Sequence, residues 1–210
     1  MNGSSKAALL AQALGMAYAA GISPYATVAV LGIAHHLGWV GDLPGALDVV
    51  GSPWVIGVAS ALYLVEFLAT LIPGVASLWE TVQTFIRPPL AALLAGATVW
   101  GNGALAAIAV PLGAALGLTT HGTKLGMRYA IDTSPEPVSN GASNVAELGI
   151  VSALVVAIWQ HPIIALALAL VLLVLLLMLV RMVWVGIGRA IKRLFRGRQT
   201  AGTGPPGHQP

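Results

Sequence analysis

Residues 7–38 form one apolar stretch that is too long to cross a bilayer as a straight helix, and a proline sits inside it. At 1.5 Å per residue such a helix would reach about 48 Å, against a hydrocarbon core of about 30 Å. The excess is resolved at Gly21-Ile22-Ser23-Pro24-Tyr25-Ala26-Thr27. Pro24 has no amide to donate and pushes Ser23 away from helical angles. Backbone groups freed at that depth persist only where protein or a water-filled cavity satisfies them. A related string follows at Gly117-Leu118-Thr119-Thr120-His121-Gly122-Thr123, with glycine, a branched aliphatic, hydroxyls and a ring in the same order. Each string is followed by a Ser-Pro pair, Ser52-Pro53 and Ser134-Pro135. Each pair leads into an apolar helix carrying one carboxylate, Glu66 in the first and Glu147 in the second.

The solvent for such a chain is lipid. Hydrophobic residues make up 57% of the sequence and charged residues 8%, against about a quarter charged in soluble domains. The expected fold is therefore an all-α polytopic membrane protein of about six transmembrane segments. The spans are expected at residues 7–38, 53–72, 88–100, 104–118, 138–159 and 163–185, with residues 1–6 ahead of a retained first span. Between the second and third, Val75, Leu78, Val82, Phe85 and Ile86 recur at helical spacing with Glu80, Gln83 and Arg87 among them. That pattern predicts a short helix lying at the interface, with Trp79 at headgroup level and Pro88-Pro89 opening the third span. One transmembrane domain thus covers residues 7–186, divisible into repeats 7–101 and 104–186. A basic interfacial segment, 187–198, and a disordered Gly/Pro-rich tail, 199–210, follow.

Charge sets the expected orientation. Arg189, Lys192, Arg193, Arg196 and Arg198 place the tail in the cytoplasm under the positive-inside tendency. Counting back through six spans puts Lys124, Arg128, Arg87 and Lys6 on that side, and Asp42 and Asp48 opposite. Both termini are then cytoplasmic in a multi-pass inner-membrane protein, and the two halves are related by inversion, as in many secondary transporters. Gly188 to Arg196 should form an amphipathic helix on anionic lipid, with Ile187, Ile191, Leu194 and Phe195 on its apolar face.

The residues with chemistry to offer are few. A carboxylate within a span costs about 2.5–3.5 kcal/mol on insertion scales, so Glu66 and Glu147 should face the bundle interior. They read either as ion- or proton-coupling groups or as structural acids bonded to neighbouring helices. Asn140 and Asn144 lie on the helical stripe leading to Glu147. Lys124 and Arg128 share a helix face, and Thr119 to Thr123 would sit at that helix's N-terminus, where amides and dipole favour an anion. Plain charge anchoring is the alternative for that pair. Ser23, Tyr25, Thr119 and His121 would line a common cavity if both strings unwind. His35 and His36 point to different helix faces, which argues against a shared metal. The chain has no cysteine. It carries no phosphate loop, His-Glu-x-x-His or nucleophile elbow, so neither an enzyme activity, a cofactor nor a metal is expected. The net charge of +3 is concentrated in the tail, which marks topology and not nucleic-acid binding.

Two functions remain from this reading. One is a small secondary transporter or lipid-translocating protein for an anionic substrate, working as a homodimer among anionic lipids. The other is a structural or lipid-binding membrane protein without transport.

Several stretches keep a recognisable order: the Gly-rich broken first span, Ser52-Pro53-Trp54 with Glu66 downstream, Ile72-Pro73-Gly74-Val75, Leu78-Trp79-Glu80-Thr81-Val82 and Pro88-Pro89. His121-Gly122, Lys124, Arg128, Thr133-Ser134 and the run from Asn140 to Glu147 continue it. Over residues 8–180 the chain resembles a bacterial integral membrane family known as domain-of-unknown-function family 4126. The segment Asp132-Thr133-Ser134-Pro135-Glu136-Pro137 departs from the Ser/Thr/Gly-rich linker which that resemblance implies. The resemblance implies the membrane architecture and carries no activity with it.

Overall fold

A computed structural model describes residues 3–72, 74–131 and 137–200; within 127–131, 137–139, 183, 187–188, 190 and 191–200 it describes the backbone alone. The elements are α1 (Gly3–Ile22), α2 (Pro24–His36), a 3-10 turn (Leu47–Gly51), α3 (Pro53–Leu71), α4 (Val75–Thr98), α5 (Gly103–Ile131), α6 (Pro137–Gln160) and α7 (Pro162–Thr200). Among the described residues there is no strand. Proline opens four of the helices (Pro24, Pro53, Pro137, Pro162), where its missing amide costs nothing. Asn102 caps α5 by accepting the Leu105 amide at 3.2 Å. His35 and His36 hold the 37–52 loop, through the Gly41 and Gly51 carbonyls at 3.1 and 2.7 Å.

The interior is built on α1. Its second half, from Ala11 to Gly21, is almost wholly buried against α4, α5, α6 and α7. The residues there are mostly alanine and glycine, which let backbones approach where no hydrophobic effect drives helices together. A Cβ on Gly21 would lie 2.7 Å from Thr120 Cβ and 2.8 Å from the Gly117 carbonyl oxygen, so α1 and α5 touch backbone to backbone there. The periphery is the reverse. Leu168, Val171, Leu175 and Met178 of α7 are exposed, as are Leu64 and Leu68 of α3. An apolar exterior of this extent is a lipid-facing surface. Among the described residues four helical segments are long and apolar enough to cross a membrane: Pro53–Leu71, Gly103–Gly126, Asn140–Gln160 and Pro162–Gly186.

The structure departs from the sequence-based expectations in several places. Among the described residues four helical segments meet the length and hydropathy of a span by themselves, where about six segments were expected. The α1–α2 pair is split at Ser23, and α4 carries too many polar residues. No separate interfacial helix precedes Pro88-Pro89; α4 runs unbroken from Val75 to Thr98 through both prolines. An internal proline costs about 3 kcal/mol. The offset is a single buried stripe that spans the prolines: Ala76, Glu80, Gln83, Arg87, Ala91, Leu94 and Ala95. This helix is also inside out relative to the expectation. Glu80 is 2% exposed and Arg87 0%, while Leu78 is 67% and Phe85 77% exposed. The polar and apolar sides of residues 75–87 suit a helix on water as well as one that turns its polar side into the protein, and here the polar side is the buried one.

The second glycine/threonine string is not a break either. α5 is continuous through Gly117 to Thr123. The string lacks a proline at the key position, and its hydroxyls bond back into the helix, Thr119 to the Ala115 carbonyl and Thr123 to the Thr119 carbonyl, each at 2.8 Å. The two halves therefore do not share the broken-helix feature that suggested an inverted repeat. At the other end, α7 continues to Thr200 without a break before Gly188. The apolar face expected from Ile187, Ile191, Leu194 and Phe195 lies outside the described residues, as do the 132–136 linker and the tail from 201.

Candidate functional site: a buried ion network at the helix break

The break between α1 and α2 gives the site its first polar groups. Ser23 is extended (φ −155°, ψ 109°), and its hydroxyl oxygen accepts the Ala26 amide at 3.3 Å, capping α2. The same hydroxyl donates to Glu66 Oε2 at 2.7 Å. Ile22, the last residue of α1, leaves a carbonyl outside the helix pattern, and Lys124 Nζ of α5 donates to it at 3.1 Å. Both consequences of the proline are thus answered by protein groups at depth.

From Glu66 the network runs inward. Arg87 Nη2 lies 2.5 Å from Glu66 Oε1, and Arg87 Nη1 lies 3.4 Å from Glu80 Oε2. Arg87 is fully enclosed, so its charge is affordable only because carboxylates stand on two sides. Arg87 Nη1 also reaches His121 Nδ1 at 2.8 Å. A guanidinium can only donate, so Nδ1 must be an acceptor and the ring proton sits on Nε2. That Nε2 faces Thr84 Oγ1 at 2.9 Å, and Thr84 passes its own proton to the Glu80 carbonyl at 3.0 Å. The direction of every bond in this relay follows from the arginine, and it makes His121 a neutral imidazole in one tautomer.

Lys124 joins this sealed interior to the outer part of the site. Its Nζ is 2.6 Å from Glu147 Oε2, 3.8 Å from Glu80 Oε1 and 4.0 Å from Glu66 Oε1. Glu147 is the more exposed of the three acids, its side chain 19% accessible against 2% for Glu80 and 5% for Glu66. Lys124 and Glu147 stand on the wall of a chamber of about 260 Å³ among α1, α5, α6 and α7.

Of the residues singled out from sequence, Ser23, Glu66, His121, Lys124 and Glu147 meet in this network. Tyr25 accepts from Gln83 Nε2 at 3.2 Å, a contact between α2 and α4 apart from the ion pairs. Asn144 is buried but works elsewhere, donating to Thr70 Oγ1 at 2.7 Å and so fastening α6 to α3. Asn140 is half-buried, one turn earlier. Thr119 is exposed, its hydroxyl committed to its own helix. The anion site expected at a helix N-terminus near Thr119 to Thr123 does not form, because an uninterrupted α5 has no free amides there. The side chain of Arg128 lies outside the described residues.

Glu80, Thr84 and Arg87 were missed as site residues. Their signal was present: with Gln83 they recur at intervals of three and four along one face of α4. Residues 10–182 match the family described as Domain of unknown function (DUF4126). The chain belongs to this family. Neither a curated protein nor a solved structure matches it. In this DUF4126 protein the polar groups of α1, α3, α4, α5 and α6 join in one network, and α3, α4 and α5 meet in the Glu66–Arg87–His121 chain alone.

Proposed function

We propose that this DUF4126 protein is a small secondary transporter for an anionic, lipid-like substrate, with the Glu66–Arg87–Glu80–His121–Lys124–Glu147 network as its coupling element. The observation that carries this reading is the position of Lys124. One cation stands between a carboxylate on an accessible chamber, Glu147 at 2.6 Å, and two carboxylates in a sealed interior, Glu80 and Glu66 at 3.8 and 4.0 Å. A lysine on a four-carbon stem moves between such partners with small changes of rotamer. When an anion takes Lys124 from Glu147, the carboxylate at that depth neutralises by accepting a proton from water. Substrate and proton then enter together, and release of either returns Lys124 to Glu147. In this reading the chain crosses the inner membrane six times, with α1–α2 as one broken crossing, α4 as another and both termini in the cytoplasm.

A second reading has a specific observation in its favour. Arg87 and His121 are completely enclosed, which suits a fixed ionic clasp in a protein that binds lipid without moving it. Reconstituted vesicles separate the two. Transport predicts that an imposed pH gradient drives uptake of a radiolabelled anionic amphiphile, and that Glu147→Gln and Glu66→Gln abolish the coupling while the protein stays folded. Uptake no faster than in protein-free vesicles would leave the clasp, and uptake that ignores the gradient or is unchanged in both variants would remove the network as a coupling element.

A further inference from the structure

Helix α4 has two unlike parts joined at Pro88-Pro89. The first, residues 75–87, buries Ala76, Glu80, Gln83 and Arg87, so what holds it inward is polar but for one alanine. Gln83 reaches Tyr25 at 3.2 Å, Thr84 Oγ1 meets His121 Nε2 at 2.9 Å, and Arg87 meets both Glu66 and His121. Its opposite side, at Leu78, Val82 and Phe85, is exposed. The second part, residues 90–98, buries Ala91, Leu94, Ala95 and Thr98. It is locked by close contact: a Cβ on Gly113 of α5 would come within 2.7 Å of Ala95 Cβ, and one on Gly117 would overlap Ala91. The Ala97 carbonyl also accepts the Ala46 amide of the 37–52 loop at 3.0 Å. Close packing of small residues leaves no second arrangement within reach, whereas hydrogen bonds and ion pairs exchange partners.

The joint between the two parts is weak by construction. Pro88 and Pro89 have no amide to donate, so the helix lacks the two bonds that would end on the Thr84 and Phe85 carbonyls. Arg87 and Pro88 each precede a proline, where steric contact favours extended over helical angles, yet α4 runs through both as helix. Arg87 is also the residue that α3 and α5 hold, through Glu66 and His121. The grip that keeps the joint helical is therefore the network itself. At its far end the first part begins after Gly74, at φ 86°, a backbone angle that suits glycine, and an added Cβ there would meet nothing within 4 Å. A helical segment with an unpacked glycine at one end and a proline pair at the other can turn as a unit.

We propose that residues 75–87 are the moving part of this protein, an arm pivoting at Pro88-Pro89 and Gly74 that opens and closes the ion network while residues 90–98 stay fixed. Swinging out, the arm carries Arg87 away from Glu66 and His121, and Glu80 away from Lys124, in one step. No charge is stranded by this. The arm takes a complete pair with it, Glu80 and Arg87 at 3.4 Å. It leaves another behind, Glu66 and Lys124, 4.0 Å apart on α3 and α5, with Glu147 still on Lys124. A buried ion is costly only when its partner is removed, so an exchange of partners keeps the two arrangements close in energy. The swing gives the transport reading its moving element and rests on that reading only for what the motion accomplishes.

The test is the distance between two nitroxide labels, measured by double electron–electron resonance on the full chain in phosphatidylcholine nanodiscs. Leu78 on the arm, Leu93 on the fixed part and Val174 on α7 are all exposed and accept labelled cysteines. Leu78 lies ten residues from Pro88, about 15 Å, so a swing of about 30° moves it by about 8 Å. Glu66→Gln, which takes one carboxylate from Arg87, should shift or split the distance from Leu78 to Val174 by about 5 Å or more, and leave that from Leu93 to Val174 within about 2 Å of wild type. Adding Pro88→Ala with Pro89→Ala restores the helical bonds and should return the first distance to its wild-type value. Adding Pro111→Ala, inside α5, should not. If Glu66→Gln fails to fold, amide exchange of the wild-type protein decides. Residues 75–87 should exchange together, at least about tenfold faster than 90–98, and the double proline variant should remove the difference. An unmoved Leu78, equal shifts of both distances, a shift that survives the double proline variant, or uniform exchange along α4 would each overturn the hinge. The two readings fail separately. Arm motion without uptake above that of protein-free vesicles keeps the hinge and removes the transporter; uptake with an arm that never moves keeps the transporter and removes the hinge.

Discussion

Residues 21–27 and 117–123 carry the same order of residue types, yet one ends a helix and the other runs through the middle of one. The difference lies at a single aligned position, Pro24 in the first and Thr120 in the second. Pro24 frees the Ile22 carbonyl and leaves Ser23 extended, and both then reach across to other helices, to Lys124 and Glu66. In the second string the amides are all available, and Thr119 and Thr123 spend their hydroxyls on their own helix. Residue-type likeness therefore did not carry backbone likeness. The two strings nevertheless belong together in space, because Gly21 packs on Gly117 and Thr120. The broken string supplies a backbone acceptor at Ile22, and Lys124, the residue after the intact string, supplies the cation that answers it.

Forcing the second string to behave like the first should have the largest effect. Thr120→Pro puts the missing residue at the aligned position, but inside a helix with no polar groups waiting for the freed carbonyl. A loss of about 3 kcal/mol or more is expected, read as a fall in the thermal midpoint of the purified protein. Removing the cation that holds the broken region's carboxylate is next. Arg87→Met leaves Glu66 and Glu80 buried without it, at an expected cost of about 3–5 kcal/mol. Arg87→Met combined with Glu66→Gln should recover part of that loss, since the stranded charge is then gone. Denaturation in mild detergent measures both, and a double variant no better than the single would show that Arg87 is not acting through Glu66.

The aligned hydroxyls offer the sharper contrast. Ser23→Ala loses both a cap and a hydrogen bond to an ionised group, about 1.5–3 kcal/mol together. Thr119→Ala, its counterpart, loses only a bond within its own helix at an exposed site and should stay within about 0.5 kcal/mol of wild type. Equal effects at the two positions would mean that the break is not where the stabilisation is concentrated.

The sequence carried the helical membrane class, the first break, and five members of the network, because each leaves a local mark. An apolar run longer than the bilayer is thick, a proline within it, and single carboxylates inside apolar segments are all visible one residue at a time. What was not legible was which way a helix faces. Residues 75–87 have one polar and one apolar side whether they lie on the membrane surface or cross its interior, and only the neighbours decide. Arg87 was assigned to the cytoplasmic edge for the same reason, since a lone arginine beside two prolines looks like a flank. Its partners Glu66 and His121 lie 21 and 34 residues away, so no local pattern announces them. The continuity of α5 was hidden by composition: glycine and threonine discourage a helix without forbidding one.

The inward-facing polar side of α4 is the claim on which the network, the transport reading and the comparison of the two strings all depend. The absence of cysteine allows it to be tested without background. Single cysteines placed in turn at residues 75–87 and given nitroxide labels can be read in a bilayer for collision with oxygen, which concentrates in lipid, and with a water-soluble nickel chelate. Oxygen accessibility should rise at Leu78, Val82 and Phe85 and fall at Glu80, Gln83 and Arg87, with nickel accessibility low at those three. Nickel accessibility that instead peaks at Glu80, Gln83 and Arg87 would put the helix on the membrane surface and contradict the account.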